Sequence, residues 1–145
     1  MASVSDVLRK KLESVEETTS IQEVAKKMKD RNVSSLVVVD TNGKPVGIVT
    51  ERDIITKVCI NDVPTSTVIS KEIMSTPLIT INGSSSVSTA AEMMIKNNVR
   101  HLLVIDDNDR IGIITPLDLT RSQVYTADED REAIKTVLDR YMEWL

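Results

Sequence analysis

The sequence predicts a mixed α/β (α+β) fold made of two tandem copies of one β-α-β-β-α unit, with an extra helix after the second. Three observations carry this prediction. The stretch Gly47-Ile48-Val49-Thr50-Glu51-Arg52-Asp53-Ile54-Ile55 is written again, 65 residues on, as Gly112-Ile113-Ile114-Thr115-Pro116-Leu117-Asp118-Leu119-Thr120. Shifting the chain by 66 positions aligns Leu12 with Leu78, Ser20 with Ser86, Ala25 with Ala91, Met28 with Met94, Asn32-Val33 with Asn98-Val99, Leu36 with Leu102, Val38 with Val104 and Asp40 with Asp106. Within each copy, apolar residues at helical spacing give way to short continuous β-rich runs, the two periods that separate helix from strand.

Each element has a local cause. Extended segments are expected at Leu12–Val15 and Leu78–Ile81, entered by short turns ending in Leu8 and Met74. Ser20 should cap a helix to about Arg31, with Glu23 at the capping-box position and Ile21, Val24, Ala25 and Met28 on one face. Its counterpart starts at Ser86 and buries Val87, Ala90, Ala91, Met94 and Ile95. Leu36–Val39 and Leu102–Ile105 are continuous β-rich runs that suit strands covered on both faces. Polar turns containing Asn42-Gly43 and Asn108-Asp109 lead to strands Val46–Thr50 and Ile111–Thr115. The first turn is one residue longer, which accounts for the drop in shift from 66 to 65. A second helix follows from Glu51 or Pro116.

The expected division is a first repeat at 3–60, a linker at 61–67, a second repeat at 68–126 and an amphipathic helix at 127–145. A unit of roughly 60 residues buries little surface alone, so two of them packed sheet to sheet would share one core. In the last helix Asp128 is a candidate cap. Ile134, Val137, Leu138, Tyr141, Met142 and Leu145 form the apolar stripe, opposite Asp130, Arg131, Lys135, Asp139, Arg140 and Glu143.

Composition narrows the function. The 145 residues carry a net charge of −4 with a pI near 5.1, which disfavours nucleic acid, a partner that demands a basic face. Aromatic residues make up 2%, too few for a stacking platform. Apolar runs are far too short to span a bilayer. Cys59 is the one cysteine, so a reducing cytoplasm is the expected compartment. The single His and the Cys occupy non-corresponding places and no acid–base pair or metal set stands out, so an enzyme is not expected.

The duplicated Thr-x-x-Asp admits two readings from its residues. Thr at an N-cap with an acidic N3 residue is a capping arrangement, and Pro116 suits the first helical position. The same residues also suit a nucleotide: free N–H groups at a helix start favour phosphate, and an aspartate accepts from the paired hydroxyls of a ribose. Both readings predict a duplicated element. Cys59 is read as helix packing, and Met28, Met93 and Met94 as core filler.

The twice-written Gly-Ile-[Val/Ile]-Thr-x-x-Asp-[Ile/Leu] resembles the signature of the cystathionine β-synthase (CBS) domain. Ile73-Met74-Ser75, Leu78-Ile79-Thr80-Ile81, Ala91-x-x-Met94 and Val99-Arg100-His101-Leu102 are similar to that family as well. The first copy has Val7-Leu8-Arg9 where the second has Ile73-Met74-Ser75. The resemblance covers about residues 3 to 124 and implies a pair of CBS domains (a Bateman module) with pseudo-twofold symmetry and two ligand clefts. It implies one cleft formed by Thr50 and Asp53 with Ile79, Thr80, Val99, Arg100 and His101, where Arg52 can also reach a phosphate. The other would combine Thr115 and Asp118 with Glu13, Val33, Ser34 and Ser35.

The implied ligand is AMP, ADP or ATP, with no separate cofactor, and the implied role is regulatory, acting on a separate effector protein. An S-adenosylmethionine-type ligand and a purely structural dimerisation module are the alternatives. A half-exposed surface residue is the plain alternative for His101. The resemblance also implies a homodimer formed through the helices of the Thr-x-x-Asp elements. Light scattering at tens of micromolar tests it: a strict 16.1 kDa monomer would exclude the dimer.

Overall fold

The computed structural model describes residues 2–8, 11–107, 109–120 and 128–143, with side chains in the last stretch for 131–140. Arg9, Asn108, Leu145, the capping role of Asp128 and the side chains of Asp130, Tyr141, Met142 and Glu143 lie outside the described residues. The chain divides into two compact units, residues 12–78 and residues 1–11 together with 79–145.

In the unit of residues 12–78, β1 (Ser14–Glu16), β2 (Ser35–Val39) and β3 (Pro45–Thr50) form a sheet in that order. β1 runs parallel to β2, with Ser14 opposite Val37, and β3 runs antiparallel, with Leu36 opposite Val49. Leu36, Val37 and Val38 are each 0% exposed, so the middle strand is covered on both faces, as its continuous apolar run requires. Leu36 and Val38 share a core with Ile21, Val24, Met28, Val49, Val58 and Ile73. Burying a side chain of this size contributes about 1.5–3 kcal/mol, so this row of residues sets the unit's stability.

The helix α2 (Ile21–Arg31) begins at Ser20, whose hydroxyl accepts from the Glu23 backbone N–H at 3.2 Å. The Glu23 carboxylate turns to Lys26 instead of closing a capping box, at 3.3 Å on an exposed face. The helix ends on Asn32 in the left-handed region (φ 53°), which lets the Val33 N–H donate to Met28 O at 3.0 Å. Ala25, expected on the buried face, is exposed. Its counterpart Ala91 is fully buried, because the second unit has a further helix packed on the equivalent element.

After β3 the chain forms α3 (Glu51–Ile54) and then widens into a π-helical turn over Ile55–Cys59, closed by Ile60 N–H donating to Ile55 O at 3.1 Å. The extra residue per turn rotates Val58 into the core and leaves Cys59 exposed, correcting its expected role in packing. A 3₁₀ turn (Thr65–Thr67) and α4 (Ser70–Ile73) follow, and both belong to this unit. The segment is bonded along its length. Val68 O accepts from Ile21 N, Ser70 N and Oγ both donate to Thr19 O at 2.8 Å, and Ser75 exchanges two backbone bonds with Ile48.

In the second unit β4 (Thr80–Asn82), β5 (Leu102–Asp106) and β6 (Asp109–Ile114) repeat the same order and directions. Ser86 caps α5 (Val87–Asn97) by accepting from Thr89 N at 3.1 Å, and Asn98 (φ 52°) ends it as Asn32 ends α2. The N-terminal α1 (Val4–Val7) belongs here: Val4 N donates to Ser85 O and Ser5 N to Gly83 O. A Cβ on Gly83 would meet the Ser5 hydroxyl, so α1 approaches closely here and a larger residue would have to turn that side chain aside. The Ser3 N–H donates to the Asp6 carboxylate and holds that carboxyl below its ordinary value. After α6 (Pro116–Leu119), α7 (Asp128–Glu143) packs on α5 and α6 through Ile134 and Val137, with Leu138 beside them. Arg140 donates to Ile95 O at 3.3 Å. Ile134, Val137 and Leu138 of the last helix's apolar stripe are therefore spent within their own unit.

The docking of residues 70–75 depends on Gly47, where a Cβ would meet Met74 Sδ at 2.7 Å and the Ser75 carbonyl at 3.0 Å. The sulfur can move but the carbonyl, bonded to Ile48, cannot follow freely. Gly47→Ala should lower stability by about 1–3 kcal/mol in urea unfolding, the range typical of overpacking. Adding Met74→Ala should recover only part of that loss.

Candidate functional site

Each unit brings its predicted residues to one end of its sheet, where two parallel strands start, the antiparallel third strand finishes and a helix begins. In the first unit Ser35 lies opposite Thr50, and Ser34 O accepts from Glu51 N at 3.0 Å. Val33 is delivered to this end by the left-handed Asn32 cap. Glu13 arrives on the edge strand, its O accepting from Val37 N. Its carboxylate lies 3.9 Å from Lys27 and 3.8 Å from Arg31. Arg52 is exposed on the first turn of α3.

In the second unit Leu102 lies opposite Ile114, so His101 and Thr115, each one residue beyond, share the corresponding end. Val99 is set there by its N–H donating to Met94 O at 3.0 Å, the same device that sets Val33. Ile79 O accepts from Leu103 N, and Thr80, opposite Leu103, is exposed. Arg100 and His101 are half-buried. Within its own unit, then, Thr50 has two serines beside it and Thr115 has an arginine and a histidine.

The Thr-x-x-Asp elements have capping geometry in both copies. Asp118 Oδ2 accepts from Thr115 N at 2.8 Å and from Thr115 Oγ1 at 3.1 Å. Asp53 Oδ2 accepts from Thr50 N at 3.0 Å and Thr50 Oγ1 at 3.1 Å, while Thr50 Oγ1 accepts from Asp53 N. Asp53 goes further. Its Oδ1 accepts from Ser75 Oγ at 2.9 Å and pairs with Lys57 Nζ at 3.0 Å, and Lys57 also donates to Ile73 O at 2.8 Å. Asp53 is buried at 6% exposure, and four donors surround its two oxygens.

Sequence reasoning did not assign Lys57 or Ser75 to the site. Lys57 had a signal, standing four residues after an aspartate on a helix. Ser75 stood in the family-like Ile73-Met74-Ser75, but the 22 residues that separate it from Asp53 hid the contact. Among the described residues no group of three His, Cys, Asp or Glu side chains is placed to hold a metal ion, and no helix is long and apolar enough to cross a membrane. A groove of about 530 Å³ beside α7, lined by Arg131, Ile134, Lys135, Leu138 and Asp139, contains none of the predicted residues.

This architecture, repeated with its capping elements, defines a tandem pair of small α/β modules. The chain belongs to the CBS domain family, whose sequence model matches residues 4–59 and 69–125. It is 34% identical over 134 residues to protein MK0525 of Methanopyrus kandleri, covering 92% of this chain and 68% of that one. It is 33% identical over 124 residues to the CBS domain-containing protein YhcV of Bacillus subtilis, covering 86% and 87%. Among solved structures, the CBS domain protein PAE2072 from Pyrobaculum aerophilum complexed with AMP superposes with a TM-score of 0.74 at 28% identity, over 85% of this chain and 94% of that one. CBS domains are regulatory modules that commonly bind nucleotides.

Asp53→Ala should remove four acceptor contacts at once and lower stability by about 2–3 kcal/mol, from buried donors left without partners. Lys57→Met should lower it by less than about 1 kcal/mol, because the ammonium is screened by solvent. Urea unfolding of the two variants measures both. Equal losses would mean that the ion pair, and not the hydroxyl and amide contacts, holds the element.

Proposed function

We propose that the chain is a regulatory module that binds an adenine nucleotide (AMP, ADP or ATP) and conveys its level to a separate protein. The observation that carries this reading is the second unit's end-of-sheet set: Arg100 and His101 beside Thr115 and Asp118. An arginine supplies a fixed positive charge and a fork of donors for phosphate. The carboxylate that caps the neighbouring helix supplies acceptors for ribose hydroxyls. The AMP complex of the Pyrobaculum protein supports the ligand class. On this reading Ile79, Thr80 and Val99 form an apolar and backbone edge suited to a flat base, and Thr50, Asp53 and Val33–Ser35 make the corresponding set in the first unit.

The first unit favours a second reading for its own ligand. Ser34 and Ser35 stand where the second unit has Arg100 and His101, so an adenosyl compound without phosphate, such as S-adenosylmethionine, is the alternative to AMP there. The outer helical faces support association with a second copy. Ile55, Ile60 and Leu117 are 56%, 69% and 54% exposed on the elements that follow the two threonines. Exposed aliphatic side chains at these places suit an interface better than water.

Calorimetry with AMP, ATP, S-adenosylmethionine and adenosine tests the reading directly. Arg100→Ala should weaken AMP binding by about tenfold or more, the loss of a charge-assisted contact, while changing adenosine binding little. Raising the salt concentration should act in the same direction. Equal losses for AMP and adenosine would mean that Arg100 does not read phosphate, and absence of heat with every adenosine compound would overturn the ligand class.

A further inference from the structure

The Asp53 carboxylate is already satisfied. A carboxylate offers about four acceptor positions, and here they receive Thr50 N, Thr50 Oγ1, Ser75 Oγ and Lys57 Nζ. The group is 6% exposed, so water does not compete for it freely. A ribose hydroxyl can reach Asp53 only by taking the place of one donor. Three of the four are held tightly for local reasons. Thr50 N and Oγ1 belong to the same helix cap, and Lys57 stands four residues on from Asp53 and is held in place by its bond to Ile73 O. The fourth, the Ser75 hydroxyl, comes from outside the helix and is the same chemical donor as a ribose hydroxyl, neutral O–H at 2.9 Å.

Resting on the proposed function, in which Asp53 accepts from a ribose, we propose that Ser75 is a built-in competitor for that position. Its hydroxyl holds Oδ1, and nucleotide binding exchanges it for a ribose hydroxyl. The exchange has a structural consequence. Ser75 lies in the segment after α4 that is held to β3 by Ile48 N to Ser75 O at 3.1 Å and Ser75 N to Ile48 O at 2.8 Å, with Met74 against Gly47. Releasing the Ser75 hydroxyl removes a side-chain anchor from this pair of backbone bonds. Ligand at the first Thr-x-x-Asp element thus loosens residues 73–78, the stretch that leads the chain out of the first unit. Lys57, bonded to both Asp53 and Ile73 O, ties the helix end of the segment to the same carboxylate. The device couples occupancy to residues 73–78 by trading one hydrogen bond for another of the same kind.

Calorimetry of Ser75→Ala with AMP and with 2′,3′-dideoxyadenosine 5′-phosphate tests the exchange. AMP should bind roughly three- to tenfold tighter than to the wild type, because a hydrogen bond to a charged acceptor no longer has to be given up. The dideoxy compound, which has no hydroxyl to exchange, should show no gain. Ser75→Thr, which keeps the hydroxyl, should keep wild-type affinity. In the wild type, saturating AMP should speed amide hydrogen exchange at Ile48 and Ser75. Equal or weaker AMP binding by Ser75→Ala would overturn the proposal, and so would unchanged exchange at Ile48 and Ser75, a readout that needs no variant to fold. Asp53→Asn separates the two levels of inference. If it weakens AMP but not the dideoxy compound while Ser75→Ala changes neither, Asp53 reads ribose and the competitor is wrong. If Asp53→Asn changes neither, the ribose reading itself fails and the exchange fails with it.

Discussion

The first unit depends on one carboxylate. Asp53 closes the cap that ends β3 and starts α3, and the same group receives the side chains that dock residues 73–75. A buried carboxylate is costly unless its acceptors are filled, so the helix start, residues 73–75 and the Lys57 ammonium are constrained together. The π-helical turn fits this constraint. It carries Lys57, which reaches back to Asp53 and Ile73 O, while Val58 enters the core. Local helix geometry is sacrificed where the network and the core both make demands.

Duplication explains the common frame, and divergence around it explains the differences. Both units keep a parallel edge strand, a middle strand buried on both faces, a left-handed asparagine after the long helix and a threonine before the short one. These are backbone solutions, and each uses residues that few others can replace. Asn32 and Asn98 accept positive φ, and the valines that follow them place the edge of the candidate site. The side chains on that frame differ in kind. Arg100 and His101 bring a guanidinium and an imidazole where the first unit has the hydroxyls of Ser34 and Ser35, and α7 covers α5 where α2 remains bare at Ala25.

Units in space do not follow the repeats in sequence. The first residues of the second repeat complete the first unit, and the first residues of the first repeat complete the second. The bonds responsible are mostly backbone bonds, such as Ser70 N to Thr19 O and Val4 N to Ser85 O, which carry no residue signature. Period and capping rules read only the local chain, and so they gave helix α2 to Arg31 and the start of α3 at Thr50 with little error, but not the docking of α1 and α4.

From the residues alone came the duplication, the β-α-β-β-α order, the caps at Ser20, Ser86, Thr50 and Thr115, and the middle strands as continuous apolar runs. All of these are set by interactions within a few positions, or by a period that repeats often enough to count. Tertiary structure alone decided the rest. It placed Ser75 on Asp53 across 22 residues, turned Cys59 out and Val58 in, left Ala25 bare, and gave the last helix its seat on α5. The physical reason is the same in each case: such a contact is chosen by which surfaces meet once the chain is folded, and a linear pattern records a residue's own preference but not the neighbour it will find.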